Sequence, residues 1–270
     1  MTPNHRAAIL LTLLAIAAGS VLLALPPVLQ DESYHDFADQ RTIFGIPNCW
    51  NVVSNLGFLA AGLWGLGALR RKGAFRSAWE RAAYGVFLAG VMLTAFGSAY
   101  YHLQPDDRRL AWDRLPMTPA FLALFAITLG ERISPRLARA VLFPLLAAGP
   151  ASILYWRLSG NLRCYGLVQF LPLVAIPAML LLFRPRYSHA GWTWAMAGLY
   201  ALAKAAEWWD RPLAAIAATG GHPWKHVLAA AAAACYVAGV RRRAPLGFGD
   251  GSDRPRCLPA NHAHCALSGH

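Results

Sequence analysis

The sequence predicts an all-α polytopic membrane protein, and three observations carry that reading. Hydrophobic residues make up 57% of the 270 and charged residues only 14%. Uncharged runs at 7–30, 42–69, 82–105 and 164–183 each reach the roughly 20 residues that span a bilayer core. Arginine and lysine then gather in alternate connections between apolar segments, as the orientation of membrane helices demands. Helix is imposed on these runs rather than chosen, because backbone amides in lipid must be bonded within their own segment.

Taken in order, the first run follows the positively charged stretch Met1 to Arg6, as a signal peptide would. Its length exceeds an ordinary signal core and "LPPVLQ" is a poor small-residue cleavage site, so residues 1–30 are expected to hold a transmembrane helix. The runs at 42–69 and 82–105 supply the second and third helices. Shorter or interrupted apolar segments at about 115–130, 138–157 and 190–209 supply the fourth, fifth and seventh, and 164–183 the sixth. The eighth covers about 222–240, with "VLAAAAAACYVAGV" as its body.

The basic loops hold Arg70, Arg71, Lys72 and Arg76, then Arg132, Arg136 and Arg139, then Arg184 and Arg186, then Arg241 to Arg243. These are expected in the cytoplasm. The other loops are acidic or mixed, with Asp31, Glu32, Asp36 and Asp39 in the first and Asp106, Asp107 and Asp113 beside three arginines in the second. The expected arrangement is a multi-pass protein of a bacterial inner membrane with both termini in the cytoplasm. The net charge of +12 is then a topology signal. No basic patch interleaved with aromatics points to nucleic acid as a partner.

Cysteines contribute little: Cys49 and Cys164 fall toward the outer face and are expected as unpaired thiols. The tail 241–270 carries Cys257, His262, His264, Cys265 and His270, a possible metal set. Its Gly, Pro and Ser content without an apolar period predicts a disordered cytoplasmic tail instead.

The informative residues are polar groups at membrane depth, each a functional candidate by default. His222 and His226 of "HPWKH" stand four apart, which on a helix stacks them on one face with Cβ atoms about 6 Å apart. That spacing suits two imidazoles on one metal, although two histidines at a helix start also suit interfacial water. His102, at the same end of its helix, makes a third, and catalytic zinc sites usually take three protein ligands. The remaining histidines (His5, His35, His189, His262, His264, His270) fall in tails or loops. Ser98 precedes His102 by four residues and shares its face, unless it merely bonds its own helix backbone. Asp113 starts the next helix and could cap it. Together Ser98, His102, Asp113, His222 and His226 offer three neutral metal ligands, a carboxylate to take a proton from water, and a donor for a developing oxyanion.

The ordered blocks "HDFADQRTIFGIPNCWNVVSNLGF", "GSAYYHLQP…LAWDRLPMT" and "EWWDRP…GHPWKH" strongly resemble bacterial members of the alkaline ceramidase family, within the membrane-hydrolase group that also holds the adiponectin receptors. The resemblance runs from about residue 31 to 240. It implies a seven-helix ceramidase-like domain at 31–240, with the helix in 1–30 as an addition, and a zinc amidase that cleaves ceramides to a sphingoid base and a fatty acid. It also implies His102, His222 and His226 as zinc ligands, Asp113 as the residue that handles the water proton, and Ser98 as the hydroxyl beside the metal.

A family calcium site would use Asp36, the Phe37 carbonyl, Asp39 and Asn48, oxygen donors that suit a hard cation. Arg41 stands where the family has an asparagine ligand and Asn48 replaces a carboxylate, so a salt-bridged loop with Arg41 in the ion's place is the competing reading. Asn51, Ser54 and Asn55 are expected to make interhelical hydrogen bonds. Lys204 and Glu207 are expected to pair with each other or with Asp210 and Arg211, with Glu207 as a fourth metal ligand the minor alternative.

The expected function is therefore a zinc-dependent membrane amidase acting on ceramide-like lipids admitted laterally from the bilayer. An ester or phospholipid acyl hydrolase of the same group, and a receptor or transporter carrying ions through the polar cluster, are the alternatives. The absence of broken helices in two matching halves weighs against a transporter.

Overall fold

A computed structural model of the chain describes residues 2–248 and 255–257. The helical body is built from α1 (Pro3–Leu23), α2 (Cys49–Val53), α3 (Leu56–Leu69), α4 (Ala78–Leu103), α5 (Asp107–Arg132), α6 (Pro135–Ser159), α7 (Arg163–Leu182), α8 (Gly191–Trp208), α9 (Asp210–Ala214) and α10 (His222–Arg242). A single turn of 3-10 helix covers Glu32–His35, and a three-residue antiparallel pairing joins Leu246–Phe248 to Pro255–Cys257. All eight apolar segments of the sequence fall on helices. His262, His264, Cys265 and His270 lie outside the described residues.

Among the described residues six spans are long and apolar enough to cross a membrane: Pro3–Leu23, Cys49–Leu69, Ala78–Leu103, Asp107–Arg132, Pro135–Ser159 and Arg163–Leu182. On that basis the protein is a multi-pass membrane protein. α8 and α10 have 18 and 21 residues but are less apolar, because they carry Lys204, Glu207, His222, Lys225 and His226. They pack against each other and close the bundle, with α10 also against α3. Large apolar side chains such as Leu158, Phe143 and Leu181 face outward, as they must where the solvent is lipid. Prolines inside α5, α6 and α7 are tolerable in that setting, where neighbouring helices satisfy the freed carbonyls.

Local signals set the helix ends. Thr2 caps α1, its hydroxyl accepting from the His5 amide at 3.3 Å, and Pro3 occupies the first turn, where its missing N–H costs nothing. Asp106 caps α5, accepting from the Arg109 amide at 2.6 Å. Ser134 caps α6, and Gly160 ends it in the left-handed conformation at φ +71°. The run at 42–69 is not one helix: α2 stops at Val53 and α3 begins at Leu56. At the break Asn55 donates to the Asn51 carbonyl at 2.7 Å, turning its side chain onto its own backbone.

α4 and α5 pack most closely of all, and two glycines permit it. A Cβ on Gly97 would stand 2.2 Å from the Trp112 carbonyl oxygen, and one on Gly90 would stand 2.8 Å from the Ala120 amide. With no side chain there the two backbones touch, and Ser98 of α4 reaches the level of Asp113 of α5.

The core is in two parts. The larger runs along α4, α5, α7 and α10 through Leu88, Ile127, Met179 and Val237. The smaller, of Phe37, Tyr101, Leu110, Ile153, Trp156 and Tyr165, closes the end where α4 and α8 finish and α5 and α10 begin. At the opposite end the chain stays packed one residue beyond α10: Arg243 is buried and pairs with Glu131 at 2.5 Å. α1 lies on the periphery, with Leu10 its one buried residue.

Candidate metal centre

His102, His222 and His226 converge in the helical body. Their ring centroids lie 4.9 Å (His102–His222), 5.0 Å (His102–His226) and 4.9 Å (His222–His226) apart. All three are buried, and one ligand nitrogen from each lies within 4.8 Å of the others. Among the described residues this is the one group of three or more His, Cys, Asp or Glu spaced to hold a metal ion.

Two buried ring nitrogens, Nδ1 of His102 and Nε2 of His222, have no hydrogen-bond partner. Leaving such a group unsatisfied costs on the order of 1–3 kcal/mol, and a cation at the centre of the triangle removes that cost. The donor set therefore fits a metal that accepts three neutral imidazoles.

One of the three is held through its ring and the other two through their backbones. His226 Nδ1 lies 2.8 Å from the Ser54 hydroxyl, at the break between α2 and α3. His222 begins α10, and its backbone N–H donates to Asp210 Oδ1 at 2.7 Å, while Asp210 Oδ2 accepts from the Ala38 amide at 2.9 Å. One carboxylate thus fastens α10 to the loop before α2. Gly221, at the same corner, has no room for a side chain: a Cβ would meet the Ala206 carbonyl at 2.1 Å. The carbonyl of His102 accepts from Asn48 Nδ2 at 2.9 Å. The Phe37 ring covers the triad from the loop side, 4.7 Å from the His102 ring and 4.3 Å from that of His222.

Ser98 and Asp113 are both buried, with the Ser98 hydroxyl beside the Asp113 carboxylate. They share with His226 the wall of an apolar chamber of about 110 Å³, whose other lining includes Phe58, Phe87, Met117 and Phe121. Asp113 does not cap α5: Asp106 does, and Asp113 sits in the second turn, turned inward. The link from α4 to α5 is correspondingly shorter than the sequence suggests, covering only residues 104–106.

Lys204 and Glu207 pair with each other, and Lys225 adds a second cation at 2.6 Å from Glu207 Oε1. Tyr34 donates to the same oxygen at 3.3 Å. Glu207 is thereby committed to lysines and is not a metal ligand.

The expected calcium donors Asp36, the Phe37 carbonyl, Asp39 and Asn48 each make a contact within the protein, although Asp39 Oδ2 is buried without a hydrogen-bond partner. Asp39 Oδ1 takes the Arg41 guanidinium at 2.5 Å, and Asp36 pairs with Arg211 and accepts from Gln40 at 2.9 Å. Gln40 also donates to the Phe37 carbonyl at 3.3 Å, and Asn48 donates to His102 rather than facing the loop. Arg41 and Arg211 bring positive charge to Asp39 and Asp36, the pairing that the salt-bridged reading of this loop expects. Cys49 and Cys164 are unpaired.

Two supports of the site were not legible in the sequence. Ser54 makes the interhelical hydrogen bond expected of it, but its partner, His226, lies 172 positions away and is not named by the sequence. Asp210 reads as a loop charge, although the "EWWDRP" block placed it close to the seventh helix.

The fold and site define a polytopic helical membrane protein with three buried histidines, spaced to hold a metal ion, at one end of its bundle. Comparison of the chain with known family models finds no match, and comparison with curated proteins finds none either.

Proposed function

We propose that this protein is a zinc-dependent membrane hydrolase of the alkaline ceramidase type, cleaving the amide of ceramide-like lipids to a sphingoid base and a fatty acid. One observation carries the reading. Three buried imidazoles, two with orphaned nitrogens, converge at one end of the bundle, and one of them, His226, lines an apolar chamber whose wall also presents a serine and an inward carboxylate.

A zinc ion held by His102, His222 and His226 would supply Lewis acidity and bring the pKa of water toward 7. The chain's own residues supply the rest. Asp113 is placed to accept the proton that water loses on attacking the acyl carbon and to return it to the departing amine, so that one water is added across the C–N bond. Ser98 orients that carboxylate in the free protein and can turn its hydroxyl to the carbonyl oxygen as charge develops there. The lining of Phe58, Phe87, Met117 and Phe121 excludes water and suits an acyl chain. Calcium forms no part of the proposal, since Arg41 and Arg211 hold the carboxylates it would require.

The basic residues at the end of the bundle opposite the triad favour placing that end, and both termini, in the cytoplasm, with the site near the outer face. The reading is tested by metal analysis and mass spectrometry on the purified protein. Stoichiometric zinc and release of fatty acid and sphingoid base from ceramide are expected, both lost in His226→Ala. A protein lacking all three histidines that still held stoichiometric zinc would refute it.

A further inference from the structure

A second and larger chamber, of about 500 Å³, lies beside the first, between the end of α1 and the flanks of α5 and α7. The two meet at Asp113, Met117, Lys204 and Lys225, which line both. A lipid whose reacting carbonyl lay at Asp113 would therefore have its acyl chain in the apolar chamber and its amine half in this one.

The charge in the second chamber is unbalanced. It is lined by four cations (Arg114, Arg163, Lys204, Lys225) against three carboxylates (Asp31, Asp113, Glu207). Arg163 is spent on the carbonyls of Leu22 and Leu25 at the end of α1, and both lysines are spent on Glu207. Asp31 accepts from its neighbouring Ser33 amide.

Arg114 is different. It is buried, its one side-chain hydrogen bond goes to the neutral Gln30 amide oxygen at 2.7 Å from Nη2, its charge is felt by the adjacent Asp113, and Nη1 has no hydrogen-bond partner. Three aromatic rings fix its guanidinium, those of Trp156 at 4.6 Å, Tyr165 at 4.7 Å and Tyr34 at 5.5 Å. A buried, preoriented cation with a free donor is a receptor for an anionic oxygen.

We infer that the chamber under α1 binds the anionic headgroup, a phosphate or carboxylate, of an acyl lipid, with Arg114 as its anchor. The peripheral helix acquires a role by the same argument. Val21, Leu25, Val28 and Leu29 form the chamber's outer wall, and the segment is pinned to α7 through Leu162 N–H on the Val28 carbonyl at 2.8 Å. The inference rests on the hydrolase reading for the reaction performed on the lipid, and on the chamber alone for its binding.

Fluorescent short-chain ceramide and its 1-phosphate, identical but for the anion, test it in detergent micelles. The wild type should bind the phosphate form at least about tenfold tighter, the usual return on one charge-assisted hydrogen bond. Arg114→Gln should abolish the difference and Arg114→Lys should restore part of it. Should Arg114→Gln fail to fold, Gly166→Phe decides, because Gly166 lines the chamber and a Cβ there meets nothing within 4 Å. The bulkier residue should weaken the phosphate form selectively.

Equal binding of the two lipids by the wild type, or a preference surviving both Arg114→Gln and Gly166→Phe, would overturn the inference. So would full displacement of the lipid by millimolar inorganic phosphate, which would reveal a site for the free anion. Binding selectivity without hydrolysis of either lipid would sink the hydrolase reading and leave the chamber standing. Hydrolysis of both lipids with no selectivity in binding would do the reverse.

Discussion

Nδ1 of His226 lies 2.8 Å from the hydroxyl of Ser54, so one side of the ring is tied to the break between α2 and α3 and the other is left for the triad. Partners of this kind hold a ligand's tautomer and orientation, and their loss typically costs 10–100-fold in metal affinity. Ser54→Ala is expected to lose metal to a competing chelator at roughly 10–100-fold lower chelator strength than the wild type. Unchanged retention would mean that the hydroxyl does not orient the ring.

The contact of α4 with α5 depends on the missing side chain at Gly97. Gly97→Ala places a methyl 2.2 Å from the Trp112 carbonyl, and relief of such overpacking costs about 1–3 kcal/mol. Thermal unfolding in detergent should shift down accordingly. Because the same contact sets Ser98 against Asp113, lipid hydrolysis should fall by more than the loss of folded protein explains.

Arg41 pairs with Asp39 in the loop before α2. The Asp39 side chain is fully buried while that of Arg41 is 45% exposed, so solvent screening reduces the value of the pair well below that of a fully buried one. Arg41→Ala is expected to destabilise by about 1–3 kcal/mol, the cost of leaving the carboxylate without its partner. Millimolar calcium should then raise the unfolding temperature of the variant and leave the wild type where it is. An equal rise in the wild type would show that the ion pair does not replace the cation.

At the opposite end, Arg243 holds Glu131 at 2.5 Å and donates to the Ala74 carbonyl at 2.8 Å, under the Tyr187 ring at 4.0 Å. Removing one member of a buried pair costs about 3–5 kcal/mol, because the other charge is stranded. Arg243→Met is expected to lose that much in a denaturant titration, with Glu131→Gln losing less. Metal retention should be unaffected in the variant fraction that folds, since the pair lies at the far end of the bundle from the histidines.

The helical frame was legible in the sequence because its cause is local. An uncharged run of membrane length has only one way to satisfy its amides, so the apolar segments are helical without reference to any partner, with the 42–69 run divided at Ser54 and Asn55. The pairing of His222 with His226 was legible for the same reason, being a matter of 3.6 residues per turn, as was the shared face of Ser98 and His102.

What joins those fragments is set by packing between helices, which periodicity does not encode. The closing of His102 on the α10 pair, the turn of Asp113 away from capping and toward Ser98, and the bond of Ser54 to His226 each depend on where one helix lies against another. The loop carboxylates show the same division. The sequence ranked a salt bridge at least level with calcium for Asp39 and Arg41, and the tertiary structure pairs those two residues and brings Arg211, 175 positions away, onto Asp36 as well.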